Sequence, residues 1–198
     1  MSSPLRPTVA IAFHSSNGHT AALAEAVARG AAEAGAEVVS VTVDTITDAQ
    51  WAQLDAADAI IFGSPTYMGT ASAAFHAFAE AGSKRYISRT WSDKYAAGFT
   101  ISGGLSGDKS STLGYFVTLA AQHGMHWISL GQLPGFGDAN SESQPNRLGY
   151  YVGAGSQSRY DAGADAIPKS DIVTAERLGA RVTEQAAIYI AGRAALAS

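Results

Sequence analysis

Thr8-Val-Ala-Ile-Ala-Phe13, running into His14-Ser-Ser-Asn-Gly-His-Thr20, is the stretch that decides the fold. Its first half is a continuous apolar run bounded by Pro7 and by a polar turn that contains Gly18. A strand covered on one face alternates apolar with polar residues, whereas a run without alternation belongs to a central parallel strand buried on both faces. The second half opens a helix. Leu23, Val27, Ala31 and Ala34 recur at steps of three and four, Glu25, Arg29 and Glu33 lie on other faces, and Gly35 stands where a C-cap is expected.

Outward from this unit the same alternation repeats. Val39, Val41 and Val43 alternate with Ser40 and Thr42, the pattern of an edge strand, and a short helical turn is expected from Asp48 to Leu54. Ala59-Ile-Ile-Phe-Gly63 is a second buried strand, followed by a loop from Ser64 to Thr70 and a helix from Ser72 to Ala81. Tyr95 to Ser102 reads as the fourth strand and ends in a Gly/Ser loop; a helix from Ser110 to His123 stops at Gly124, and His126 to Leu130 supplies a fifth strand. Gly131 to Lys169 is rich in Gly, Pro, Asn and Ser with only Tyr151-Val152 apolar, so most of it reads as surface loop of the long kind that serves a site. The last helix, Ser170 to Leu196, aligns Ala175, Leu178, Val182, Ala186 and Tyr189 on one stripe. Five β-α alternations predict an α/β three-layer sandwich: a five-stranded parallel sheet in order 2-1-3-4-5 with helices on both faces, built as one domain over residues 1–198. In such a sheet a ligand sits where the strand order reverses, so the loops after strands one, three and four are expected to converge.

Composition narrows the chemistry. The chain of 198 residues is 46% hydrophobic and 15% charged, too apolar for disorder and too evenly mixed for a membrane protein. Its net charge of -4 with no Lys/Arg run offers no footprint for nucleic acid or an anionic membrane. With no cysteine, disulfides, thiolate metal sites and thiol redox chemistry are excluded, and any electron transfer falls to a bound cofactor. The segment before Thr8 holds one Arg and no apolar stretch, and Thr8 to Phe13 is too short for a signal core or a membrane span, so a cytoplasmic protein is expected.

The expected loops carry polar donors. Ser15, Ser16 and Thr20 surround Gly18 at a helix start, where unpaired amides and the positive end of the helix dipole hold a phosphate without Lys or Arg; the same residue types also serve as ordinary helix caps. Tyr67 and Met68, in Ser64-Pro-Thr-Tyr-Met-Gly69, stand where a planar ring would pass, and the backbone from Pro65 to Gly69 could bond its edge; a rigid turn with a packed Tyr is the plainer alternative. Ser102-Gly-Gly-Leu-Ser-Gly107 could present amides to the same ring. Other templates fail. There is no G-x-G-x-x-G after the first strand, Asp108 separates Gly107 from Lys109 where a Walker loop needs Gly-Lys, and Pro65 after Ser64 removes the amide of an esterase oxyanion hole. A phospho-receiver needs acidic residues where Phe13 and His14 stand, and no paired carboxylates suggest a hydrolase. His14, His19, His76, His123 and His126 lack the spacing of a zinc or iron site, so no metal is expected. Trp127, Phe136, Tyr150 and Tyr151 are candidate pocket aromatics.

Ser15-x-x-Gly18-His19-Thr20, Gly63-Ser-Pro-Thr-Tyr-Met-Gly69, the Ser102 to Gly107 loop, Leu119-Ala-Ala-Gln-His-Gly-Met125 and Ala154-Gly-Ser-Gln-Ser-Arg159 together resemble flavodoxin-like FMN proteins, specifically the WrbA-type NAD(P)H:quinone oxidoreductases. The resemblance spans nearly the whole chain. It implies a flavodoxin-like fold, FMN as cofactor, NADH or NADPH as donor, a quinone or similar acceptor, two-electron ping-pong transfer, and a homodimer or homotetramer. By the same resemblance, Ser15, Ser16, Asn17, Gly18, His19 and Thr20 hold the FMN phosphate, while Pro65, Thr66, Tyr67, Met68 and Gly69 line the isoalloxazine. Ser102, Gly103, Gly104, Leu105, Ser106 and Gly107 meet its pyrimidine edge. His123 matches a family histidine near flavin and substrate and is the expected catalytic residue, although a histidine is also favoured at a helix C-terminus for its own sake. The family's substrate-pocket Trp falls by spacing on Tyr86, with Trp91 nearby. Asn17 and Tyr67 replace a frequent Tyr and Arg, and only Asp44 to Gln50 stands where the family carries an insertion tied to tetramers. Two other readings stay open: a flavin-binding module without turnover, and a one-electron carrier, which usually docks through denser charge than this surface offers.

Overall fold

A computed structural model describes residues 6–135 and 143–197 of the chain. Strand β1 (Thr8–Phe13) lies between β2 (Glu37–Thr42) and β3 (Ala59–Tyr67), all parallel, and β3 pairs in turn with β5 (Tyr95–Ser102). The outer edge of β5 is shared by β6 (His126–Trp127) on its first residues and β7 (Ala154–Gln157) on its last. The expected order therefore holds, with the fifth position filled by two short strands instead of one.

This split corrects the reading of residues 126 to 169. The chain leaves the sheet after Trp127, with one further bond from the Ile128 amide to Ala96, and β7 then takes its place beside β5. Ala154-Gly-Ser-Gln157 contains no β-branched or aromatic residue, so its strand state comes from pairing alone. Tyr151 and Val152, the apolar piece of that stretch, are largely exposed. Phe136 lies outside the described residues.

Helices cover both faces. α1 (His19–Glu33) and α6 (Lys169–Leu196) pack on one, burying Val9, Ile11 and Phe13 against Leu23, Val27, Leu178 and Val182. On the other, α2 (Asp48–Ala56), α3 (Ala73–Ala81) and α5 (Lys109–Gln122) bury Ala10, Ala12, Ile60 and Phe62 against Leu54, Phe75, Phe78 and Phe116. Alternate residues of one apolar strand thus feed two cores, as a doubly covered sheet requires. A short α4 (Ser83–Ser88), which no periodicity announced, follows α3. Among the described residues no helix is long and apolar enough to cross a membrane.

The third strand also runs further than its apolar stretch. The Gly63 carbonyl accepts the His14 amide and so faces β1; Pro65, two residues on, faces the same way just beyond the end of β1. A proline there forfeits no ladder bond, which lets β3 continue to Tyr67. Met68 and Gly69 then turn the chain into β4 (Thr70–Ala71), and both have positive φ, 49° and 83°, as a two-residue hairpin of the primed type demands.

Candidate functional site

The start of α1 is left open by its own sequence. Gly18 is the N-cap at φ 82°, in the left-handed region, and contributes no side-chain cap. Ser15 Oγ accepts the Ala21 amide at 3.1 Å from outside the helix. Among the described residues the amides of His19 and Thr20 have no acceptor, so two donors at the positive end of the helix face outward. His19 Nε2 meets the Ala162 carbonyl at 2.8 Å and, since a carbonyl only accepts, carries the proton there. That bond ties the α1 start to the chain beyond β7.

The β3–β4 corner supplies a wall. Tyr67 is 44% exposed, and its hydroxyl lies 2.5 Å from Ser16 Oγ, which fixes the ring beside the α1 loop. Thr66 turns the other way, into the core, where its hydroxyl meets those of Thr100 and Thr112, each at 2.8 Å. Thr100 donates to the Ser64 carbonyl, so Thr66 must donate to Thr100 and Thr112 to Thr66: one buried chain of hydroxyls anchors the strand end. Met68 points fully into solvent.

The loop after β5 is polarised. Gln157 Nε2 donates to the Gly103 carbonyl at 3.0 Å. Lys109 Nζ donates to Gly104, Leu105 and Ser106 at 2.7, 3.1 and 3.2 Å, and Tyr150 adds a bond to Ser106 at 2.6 Å. Burial pushes the Tyr150 hydroxyl above its ordinary pKa, so it stays a donor. Every carbonyl from Gly103 to Ser106 is thereby held by the protein. Among the described residues the amides of Gly104, Leu105, Ser106 and Gly107 have no acceptor.

These three loops border one open cleft. Ser15, Ser16, Asn17, His19, Thr20, Pro65, Tyr67, Ser102 and Gly103 line it, as expected; the sequence reading did not single out Ile101, Ser158 and Tyr160 as lining, although Ser158 belongs to the quoted Ala154 to Arg159 motif. Gly18, Thr66, Met68, Gly69, Gly104, Leu105, Ser106 and Gly107 shape the surrounding loops without lining it. Among the described residues no Asp, Glu, Lys or Arg lines the cleft. Unpaired helix-start amides at one end and unpaired loop amides near the other, with an exposed aromatic between, form a donor set that fits a phosphomonoester joined to a flat polar-edged ring, the make-up of FMN.

His123 lies elsewhere. It is the C-cap of α5, and three residues later β6 begins at the starting end of the sheet. The cleft is at the finishing end, a strand of eight residues away, roughly 25 Å. The structure does bring His123 together with the two expected substrate-pocket residues: its ring is 4.6 Å from Trp91 and 6.2 Å from Tyr86. Trp91 is buried with its indole N–H on Asp55 at 2.8 Å, whereas Tyr86 is half exposed and lines with His123 a second, open hollow. Burial, then Arg89 and Arg85, push the His123 pKa below its ordinary value, and its Nδ1 is buried without a partner among the described residues.

Comparison with known proteins places the geometry in context. A family model for NADPH-dependent FMN reductase matches residues 9–135. A flavodoxin of Pseudomonas aeruginosa, FldP, is 44% identical over 172 residues, covering 87% of this chain and 92% of that one. An NAD(P)H dehydrogenase (quinone) of Archaeoglobus fulgidus is 31% identical over 201 residues, covering 90% and 96%. The crystal structure of a flavodoxin, WrbA-like protein from Agrobacterium tumefaciens superposes with a TM-score of 0.72 at 40% identity, covering 91% of this chain and 97% of that one.

Proposed function

Since this chain belongs to the NADPH-dependent FMN reductase family and is a flavodoxin-like NAD(P)H-dependent flavin oxidoreductase of the WrbA type, we propose that it transfers two electrons from NADH or NADPH to a quinone by ping-pong kinetics. The observation that carries this reading is the pairing of free amides at the α1 start with the outward-turned amides after β5, on either side of one cleft. Ser15, Ser16, Asn17, Gly18, His19 and Thr20 hold the phosphate; the backbone of Pro65 to Gly69 flanks the ring, and Ser102 to Gly107 meet its polar edge. FMN bound there supplies the two-electron chemistry. The chain's part is to orient and to exclude water. Tyr67, pinned to Ser16, gives a flat wall against which donor and acceptor stack in turn.

His123 and Tyr86 sit too far from the cleft of their own chain to act on its contents. We place them at the cleft of a second copy in a homodimer or homotetramer, within a cytoplasmic enzyme. Sedimentation of the FMN-loaded protein should then show an oligomer, and His123→Ala should slow quinone turnover while leaving FMN uptake intact. The primary test is a reductive titration: FMN binds one per chain, either nicotinamide bleaches it, and initial rates give parallel double-reciprocal lines. Failure to take up FMN defeats the reading. The likeness to FldP favours a second one, a one-electron carrier. In that case a one-electron-reduced form accumulates during the titration and quinone-dependent NAD(P)H oxidation is absent.

A further inference from the structure

Lys109 is fully buried at the first turn of α5, and neither the fold nor the proposed binding of phosphate accounts for it. Its ammonium has three N–H bonds to give, and all three go to the carbonyls of Gly104, Leu105 and Ser106. Among the described residues no carboxylate pairs with it, so the charge is hydrogen-bonded but not neutralised. A buried, unneutralised cation is costly. A chain that needed only to brace this loop could do so with a neutral donor, as Tyr150 and Gln157 already do at Ser106 and Gly103.

The charge sits behind a loop whose Leu105, Ser106 and Gly107 amides are turned away from it. Carbonyl and N–H of a peptide unit point in opposite directions, so gathering three successive carbonyls on Nζ turns the amides of Leu105, Ser106 and Gly107 away from it. Positive charge behind the carbonyls polarises those units and strengthens the outward donors. Oxidised flavin has a neutral ring; two electrons and one proton convert it to a monoanion whose charge rests on its pyrimidine edge.

Resting on the FMN reading above, we propose that Lys109 is a positioning residue that acts through the Ser102–Gly107 loop as the counter-charge to reduced flavin, making the site bind the two-electron-reduced cofactor more tightly than the oxidised one. Lys109→Met keeps the length of the side chain and removes the charge; Lys109→Arg keeps the charge. Apoprotein reconstituted with FMN is titrated by fluorescence for the oxidised Kd and by spectroelectrochemistry for the midpoint potential. Lys109→Met should lose about tenfold in preference for the reduced form, a midpoint about 30 mV lower for this two-electron couple, and Lys109→Arg should restore it. A merely structural brace weakens both forms alike and leaves the potential unmoved.

Wild type provides a check that needs no variant. Burial lowers the Lys109 pKa to about 8, against which Asp171 on α6 pulls it up and Arg147 pushes it down. Asp108 next in the chain and Tyr150, whose ring lies 5.9 Å from Nζ, are the other titratable neighbours, and Tyr150 stays neutral across this range. The potential of the bound flavin relative to free FMN should therefore fall as the pH rises from about 7 to about 9.5, through that pKa. If Lys109→Met binds FMN at the wild-type potential, or the wild-type difference is flat across that range, the proposal is overturned while the FMN site stands. If wild type binds no FMN, both fall together.

Discussion

At Gly18 one residue type decides whether a helix start is a cap or a ligand site. As glycine it has no side chain to bond the first amides, and its φ of 82° with open space around it shows that conformation, rather than crowding, demands glycine. Gly18→Ala should cost about 1–2 kcal/mol for forcing an L-residue into the left-handed region, read from urea unfolding, and should weaken FMN uptake. His123 makes a different prediction. Its folded pKa is depressed by burial, so between that value and the ordinary one the unfolded chain holds a proton that the folded chain lacks. Stability associated with His123 is therefore complete above the ordinary imidazole pKa of about 6.5 and declines as the pH falls below it. Unfolding free energies of wild type and His123→Gln measured across that range should show a shallower acid loss in the variant; parallel curves would count against a buried neutral imidazole.

Elements follow from periodicity where apolar residues carry it, and depart from expectation where pairing overrides it. β1, α1, β5 and α6 fall within a residue or two of their expected limits because their apolar patterns are long and unbroken. β3 outruns its apolar stretch because Pro65 occupies the one side where no ladder bond is owed, and β7 exists only because β5 offers an edge. α1 and α6 approach so closely that a Cβ on Gly30 would run into the Glu176 carbonyl, and one on Gly179 into the Val27 carbonyl. Both are backbone atoms that cannot swing aside. Gly179→Ala should lower stability by about 1–3 kcal/mol in denaturant unfolding, with FMN affinity changed far less, since its contact on α1 is at Val27, about two turns from the helix start.

For the whole molecule, the decisive feature is how the segment from Ser143 to Gln157 returns to the sheet. Asp171, at the start of α6, binds Arg147 through both carboxylate oxygens at 2.8 and 3.0 Å and accepts Ser156 Oγ and the Gln157 amide. Arg147 reaches on to Gln157 Oε1 at 3.3 Å, and Gln157 Nε2 holds the Gly103 carbonyl. One buried ion pair thus fixes β7, the return segment and the loop after β5 together. Asp171→Ala strands the buried Arg147 and should cost about 3–5 kcal/mol in thermal or chemical unfolding, together with a clear loss of FMN affinity. Unchanged affinity in a destabilised but folded variant would show that the loop holds its shape without this support.

The sequence by itself determined the parallel sheet, its strand order, the two covering helix layers and the three loops that meet at the reversal point, because apolar period and glycine placement act locally. It also placed nine of the residues that line the cleft. Only the tertiary structure decided which peptide groups remain unpaired, that Thr66 faces the core, that Ser158 and Tyr160 reach the cleft, and that His123 lies a strand's length away. The reason is physical. A donor or acceptor is free or taken according to partners that come from distant parts of the chain, as the Gly103 carbonyl is taken by Gln157 Nε2 and His19 Nε2 by the Ala162 carbonyl, and no local pattern records those meetings.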